Sequence, residues 1–549
     1  MKRFFFLHFI ALFCLCANAQ TTLGWGSIDV RYSQTEVPET SQKSPLLRAW
    51  RGERVAAQAV LTAQEELKNV DFTVSDLKSG QHIIPASAVK KYLVRYVITS
   101  TFKNKRDSIL VADRLEPAAT CHMEKGTTQP LWLDIKVPAE TVPGTYNGTF
   151  TVNCDGKKLS LPIVLQVADR VLPEPSQWSF HLDLWQNPYA VARYFDVPLW
   201  SSQHFDKMRP IMQMLAAAGQ KVITCSVINR PWNGQTFDHF ESMIAKMKQI
   251  DGTWKYDYTV FDRWVEFMHS CGINKEITCF SMIPWKLSFR YYDQATDSHK
   301  EIKCAPGQKE YAEFWGGMLK AFSAYLAEKG WLDKTFISMD ERTVKQMQAA
   351  IKVVKDYAPG IKISLAGYYH PEIEKDIYDY CVNYNGHKTF PKGIVERRRS
   401  EGKVSTYYTC CSAKYPNLFT FTDPADCEYV ALHCLQIDVD GYLRWAYNSW
   451  TKEPEKDARF RSWPAGDTHV IYPGNTSSIR WERLVQGVQS FEKWHIMMND
   501  AKSRNDKSMQ NKLNKLLEIL DINKIANESE RMTEEFRAGL NRLSASKKY

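Results

Sequence analysis

Much that would place this chain quickly is missing from it. After the first twenty residues no apolar stretch reaches the roughly 18 residues that a membrane helix needs, so an integral membrane protein is not expected. There is no C-x-x-C pair and no H-E-x-x-H, and the 13 His are dispersed; no zinc site, no other metal and no cofactor is expected. No G-x-G-x-x-G opens a helix, which lowers a dinucleotide-binding reading. Positive charge is thin: the net charge is +9 over 549 residues, and dense basic runs are confined to Arg397-Arg398-Arg399 and Lys547-Lys548. A nucleic-acid partner is therefore not expected. Cysteine is modest and odd in number once Cys14 and Cys16 are set aside, and Cys225, Cys279 and Cys381 lie in apolar strand-like runs. That pattern is not a disulfide framework, although one or two bridges stay open, Cys427 and Cys434 among the unassigned. What the chain has in excess is aromatic surface: 17 Trp, 26 Tyr and 26 Phe make up 13% of it.

Four segments can be read along the chain. Lys2-Arg3, an apolar run from Phe4 to Ala17 and the Ala17-Asn18-Ala19 site form a cleavable signal peptide over 1–19, implying export to a periplasmic or extracellular space. Residues 20–175 alternate apolar and polar positions, as in Leu131-Trp132-Leu133-Asp134-Ile135-Lys136-Val137, between turns such as Val142-Pro143-Gly144 and Asp155-Gly156. This predicts a β-sandwich, closed by the stiff Leu172-Pro173-Glu174-Pro175 connection. From Trp178 the period changes. Helical stripes such as Phe205, Met208, Ile211, Met212 and Leu215 are each followed by a glycine (Gly219, Gly272, Gly330, Gly360) and a short apolar strand. Candidate strands at 180–184, 221–225, 276–280, 335–339, 362–365, 380–384, 404–409 and 442–447 predict a (β/α)8 barrel over 176–504, with a doubly wound sheet as the alternative. A stripe of Leu513, Leu516, Leu517 and Leu520 makes 505–549 a C-terminal helical segment packed on the barrel.

Barrel enzymes build their sites at the C-terminal ends of the strands. Here those ends carry Trp185, Trp232, Trp285, Asp340-Glu341, Tyr368-Tyr369-His370, Tyr384-Asn385, Tyr407-Tyr408 and the run Trp445 to Trp450. Flat apolar faces beside a few polar groups suit sugar rings. Asp340-Glu341 is the only Asp-Glu dipeptide, and it closes the fourth candidate strand. In a partly dry cleft two neighbouring carboxylates have their pKa values driven apart, which is the division of labour that glycoside hydrolysis uses. Successive strand residues point to opposite faces, however, so both can act only if the backbone leaves β geometry after Met339.

Phe336-Ile337-Ser338-Met339-Asp340-Glu341 resembles the catalytic strand of glycoside hydrolase family 123, the β-N-acetylgalactosaminidases. Gly441-Tyr442-Leu443-Arg444-Trp445-Ala446-Tyr447-Asn448-Ser449-Trp450, Tyr472-Pro473-Gly474 and Ser478-Ile479-Arg480-Trp481-Glu482-Arg483 resemble its C-terminal region, and the stretch from Val137-Pro138-Ala139 to Thr145-Tyr146 its N-terminal module. The resemblance implies a retaining, substrate-assisted hydrolase of glycans or glycoconjugates bearing β-linked N-acetylhexosamine. Glu341 would then be the general acid and base, and Asp340 the group that orients the 2-acetamido substituent. Trp185, Trp285, Tyr369, Tyr384, Asn385, Trp445, Asn448 and Trp450 are the candidate substrate-binding residues, with Tyr384 a candidate donor to the acetamido carbonyl. Asp467 and Arg480 read equally as loop-fixing ion-pair residues. A non-catalytic glycan-binding protein and a hexosaminidase of other specificity are the alternatives; the sequence leaves the oligomeric state open.

Overall fold

Alternation along Thr128–Lys136 puts Leu131, Leu133 and Ile135 on one face and Trp132 on the other, and both faces are buried. The first face meets a second sheet. The computed structural model, which describes residues 20–117, 120–384 and 390–545, opens with a β-sandwich built this way. The signal-peptide reading of 1–19 and the candidate Asn385 lie outside the described residues. One sheet holds Thr22–Gly26, Arg54–Thr62, Thr128–Lys136, Val89–Thr99 and Ile109–Glu116 in that order; the other is led by Leu46–Arg51, Lys157–Val171, Gly144–Cys154 and Leu67–Val74. Trp25, Phe72, Phe150 and Leu165 lie between them.

Eight parallel strands follow: β1 His181–Leu184, β2 Val222–Ser226, β3 Glu276–Phe280, β4 Thr335–Met339, β5 Lys362–Gly367, β6 Asp379–Asn383, β7 Val404–Tyr408 and β8 Gly441–Arg444. They pair in chain order and β8 returns to β1, with His181 opposite Gly441. Between β1 and β2 the ladder is reduced to one bridge, Leu182 with Gln220, where Lys221 N donates to Leu182 O at 2.9 Å. The closure is that of a barrel, not of a doubly wound sheet. Its outer helices are α1 Pro188–Phe195, α2 Ser202–Ala216, α3 Thr259–Ser270, α4 Lys309–Glu328, α5 Val344–Tyr357, α6 Ile394–Ser400, α7 Pro424–Gln436 and α8 Ile479–Ser503. Of the four expected helix stops, Gly219, Gly272 and Gly330 adopt φ of +87°, +97° and +68°, whereas Gly360 is not left-handed and its helix ends earlier, at Tyr357. A four-stranded sheet over 245–303 is inserted beside the barrel.

Helix α8 joins the two layers. Just before it, Ser477–Ser478 adds a short strand to the sandwich edge at Arg114 and Leu115, and Ser478 caps the helix by accepting from Trp481 N at 3.0 Å. Arg480, fully buried, pairs with Asp113 of the sandwich at 2.9 Å, and Lys493 pairs with Glu53 at 2.8 Å. The expected C-terminal helical segment consists of α9 Lys507–Leu517 and α10 Ile525–Ala545. No helix among the described residues is long and apolar enough to cross a membrane.

Candidate active site

Strand parity decides what reaches the barrel mouth. Ile337 and Met339 of β4 pack outward in the large apolar cluster shared with the helices, so Phe336, Ser338 and Asp340 belong to the inner face. The strand stops at Met339, and Asp340 and Glu341 fall in a bend before Thr343 caps α5 by accepting from Gln346 N. The alternation that would turn Glu341 out toward the helices is thereby broken. Both carboxylates line one cavity of about 280 Å³ at the C-terminal end of the barrel.

The two carboxylates have different surroundings. Asp340 is 6% exposed and its Oδ2 accepts from Trp232 Nε1 at 3.1 Å. Burial pushes its carboxyl up to about 7; the Arg342 charge opposes that rise and the Glu341 charge adds to it. Glu341 Oε1 accepts from Asn383 Nδ2 at 2.7 Å and from the Tyr408 hydroxyl. Tyr408 is held well above its ordinary pKa, first by burial and then by the Glu341 charge, so it remains a phenol donor. Both donors land on Oε1, and among the described residues none donates to Oε2, which is left to serve the cavity. Arg342 is steered away from the pair: its Nε donates to Ile283 O at 2.9 Å and its guanidinium lies 4.0 Å from the Trp285 ring centroid.

Indole surface forms the walls. Trp185 and Trp232 stack at 4.9 Å with 29° between planes, and both pack on Phe280. On the far side Trp445 donates its Nε1 to Asp467 Oδ1 at 3.3 Å and meets Trp463 edge-on. Asp467 also pairs with Arg444 at 2.9 Å, both fully buried, so it fixes its loop while bordering the cavity. Trp285, 39% exposed, stands at the rim. An arrangement of two inequivalent carboxylates among indole faces can grip a sugar ring and move a proton at a glycosidic oxygen.

Of the sequence candidates, Asp340, Glu341, Trp185, Trp285 and Trp445 share this cavity. Others point elsewhere. Tyr384 lies one residue past Asn383 and on the opposite parity; its ring packs on Tyr407 and His433 among the barrel helices, so it is not placed to donate to a sugar in the cavity. Tyr369 is likewise turned out, against Tyr380 and Phe390. Asn448 is fully buried and bonded in both directions to the backbone of Asn187, bracing the loop after β1. Trp450 donates to Ile471 O at 2.9 Å inside the protein core. Arg480 serves the sandwich contact, as an ion-pair residue would. Sequence reasoning missed Asn383, whose inward parity was readable from its neighbours Val382 and Tyr384, and Cys410, Cys411 and Trp463, which reach the cavity from loops with no local signal.

The sequence profile of the glycoside hydrolase 123 catalytic domain matches residues 185–497, and that of the glycoside hydrolase 123 N-terminal domain matches 25–154. Among solved structures, a family 123 glycoside hydrolase from Clostridium perfringens, studied for glycolipid glycan hydrolysis, is 24% identical; the alignment covers 96% of this chain and 98% of that one, with a TM-score of 0.89. A Parabacteroides merdae β-glucuronidase is 10% identical over 86% of this chain and 52% of that one, with a TM-score of 0.30. No curated protein matches the chain. The profile match spans more than half of the sequence and includes both cavity carboxylates: the chain belongs to glycoside hydrolase family 123.

Proposed function

We propose that this glycoside hydrolase is an exported enzyme that releases β-linked N-acetylgalactosamine from glycans or glycoconjugates, with retention and with the substrate's own 2-acetamido group as nucleophile. The observation that carries the reading is the bend after β4, which brings Asp340 and Glu341 into one aromatic cavity with unlike surroundings. The similar family 123 protein from Clostridium perfringens acts in glycolipid glycan hydrolysis, which supports a glycoconjugate substrate.

In this mechanism Glu341 gives a proton to the glycosidic oxygen as the C1–O bond breaks, and the acetamido carbonyl oxygen closes on C1 to form an oxazolinium ion. Glu341 then removes a proton from the water that reopens the ring. Asp340 accepts the acetamido N–H and faces the positive charge that develops on the closing ring. Its burial makes ionisation costly in the free enzyme, and the cationic ring recovers that cost in the transition state, where it raises turnover. Asn383 and Tyr408 hold Glu341 Oε1, so the proton is carried on Oε2.

Chromogenic β-GalNAc, β-GlcNAc and β-galactoside substrates test the reading together. Hydrolysis of β-GalNAc, with inhibition by an N-acetylhexosamine thiazoline, is expected. Equal cleavage of the plain β-galactoside would overturn the acetamido nucleophile, preference for β-GlcNAc would reassign the sugar, and binding without turnover would make the chain a glycan-binding member of the family.

A further inference from the structure

Barrel interiors are usually filled by branched apolar side chains. This one is not. Leu182 and Leu184 of β1, Ile277 and Cys279 of β3, Ile363 and Leu365 of β5, and Tyr380 and Val382 of β6 all belong to the outer cluster packed on the helices. By alternation the inner positions in the N-terminal halves of these strands fall to His181, Asp183, Glu276, Ser364 and Asp379, while the apolar inner residues Phe280, Ala366 and Cys381 lie nearer the other mouth. His181, Glu276 and Asp379 are the first residues of β1, β3 and β6, at the opposite end of the barrel from the Asp340–Glu341 cavity.

These three are 4%, 5% and 5% exposed, and one ligand atom from each lies within 4.8 Å of the other two. Their hydrogen bonding is incomplete. His181 Nε2 stands 3.5 Å from Asp379 Oδ2 and makes no hydrogen bond; Asp379 Oδ1 makes none either, nor do Asp183 Oδ1 and the neighbouring Ser364 Oγ. Among the described residues no lysine or arginine forms an ion pair with Asp183, Glu276 or Asp379. Three carboxyls and one imidazole, sealed from water, must be neutralised, either by retained protons or by a bound cation.

We propose that His181, Glu276 and Asp379 bind one divalent transition-metal ion at the closed end of the barrel. One imidazole nitrogen with two carboxylates is a donor set suited to Zn²⁺ or Mn²⁺, and the imidazole argues against Mg²⁺ or Ca²⁺. An ion bound about 2.0–2.2 Å from each donor requires only a small inward rotation of side chains already this close. Tying β1, β3 and β6 together in one cross-strand staple, at the end where barrels keep their stabilising residues, gives the ion a structural role. Asp183 adds charge to the site from the next inward position of β1.

The test uses the full-length untagged protein, purified without chelator from medium containing Zn²⁺ and Mn²⁺. Elemental analysis is expected to find about one equivalent of Zn²⁺ plus Mn²⁺, and the His181→Gln and Glu276→Gln proteins are expected to lose it. Unfolding in chelator and refolding should lower the melting temperature by several degrees, with recovery on adding Zn²⁺ or Mn²⁺. A wild-type protein that refolds metal-free and gains no stability from either ion overturns the proposal, with shared protons neutralising the cluster instead. The wild-type measurements decide even if the variants fail to fold. Metal content and melting temperature are read without any substrate, so the outcome is independent of the proposed hydrolysis.

Discussion

Asp340 is where function and stability oppose each other. Its carboxyl titrates near 3.8 in an open chain and is pushed up to about 7 by burial. Below the first value both states are protonated and nothing is lost. As pH rises, the unfolded chain ionises while the folded protein keeps its proton, so stability falls until about pH 7 and is level above it. Asp340→Asn removes that liability. The variant is expected to be more stable than wild type at pH 7–8 by a few kcal/mol, with no difference near pH 4, while its turnover falls about 10²–10³-fold. The same titration should appear in catalysis: kcat/KM of the wild type declines below about pH 7 as Asp340 takes its proton, and the decline is absent from the residual activity of the Asn protein. For Glu341→Gln the discriminating measurement is leaving-group dependence. Natural glycans with basic leaving oxygens should be lost, and activated aryl glycosides should suffer far less; equal loss on both would show that Glu341 holds structure only.

Among the elements, α8 was hardest to see in the sequence, and it ties the sandwich to the barrel. Eighteen of its 25 residues are buried, so its composition carries no clean apolar stripe. Only the Ser478 cap and the motif after it mark its start. Gly487 in its middle shows why. An alanine there would ordinarily gain about 1 kcal/mol of helix propensity. Here an added Cβ would stand 2.3 Å from Glu428 O of α7 and 3.1 Å from Ala431 Cβ. The overlap is with backbone, which cannot swing aside. Gly487→Ala is therefore expected to destabilise the protein by about 1–3 kcal/mol, seen as a lower melting temperature. The barrel strands were legible for the opposite reason: each is a short run rich in apolar residues, β2 to β5 come soon after an expected glycine stop, and all eight fall within a few residues of the expected ranges. Their parity was legible too, from outward residues such as Ile337 and Val382. As cavity residues Tyr369 and Tyr384 run against that parity, whereas Asn383 agrees with it.

For the whole molecule, the sandwich and barrel share buried charge. Asp113 accepts from Arg31 at 3.0 Å, from Arg480 at 2.9 Å and from the Tyr472 hydroxyl at 2.6 Å, with Asp113 and Arg480 both fully buried. Removing one partner leaves the others charged and dry. Asp113→Ala is expected to cost about 3–5 kcal/mol. Because that charge sits between layers, denaturant unfolding followed by tryptophan fluorescence and by hydrolytic activity should give one coincident transition in the wild type. Two separated transitions would show that the layers fold independently.

Periodicity, turn residues and helix stops are local, and local pattern was enough to determine the sandwich, the eight parallel strands, the C-terminal helices and the Asp340-Glu341 pair at the end of β4. What the tertiary structure alone decided is which side chains meet. Asp340 finds Trp232, and Glu341 finds Asn383 and Tyr408, because barrel closure brings the ends of distant strands to one mouth. His181, Glu276 and Asp379 come together at the other mouth for the same reason, though nearly 200 residues separate the first from the last. Trp450 and Asn448 went the other way, from candidate sugar contacts to buried braces. A residue's type and spacing say what it can do; only the closed barrel determines which groups lie within reach of it.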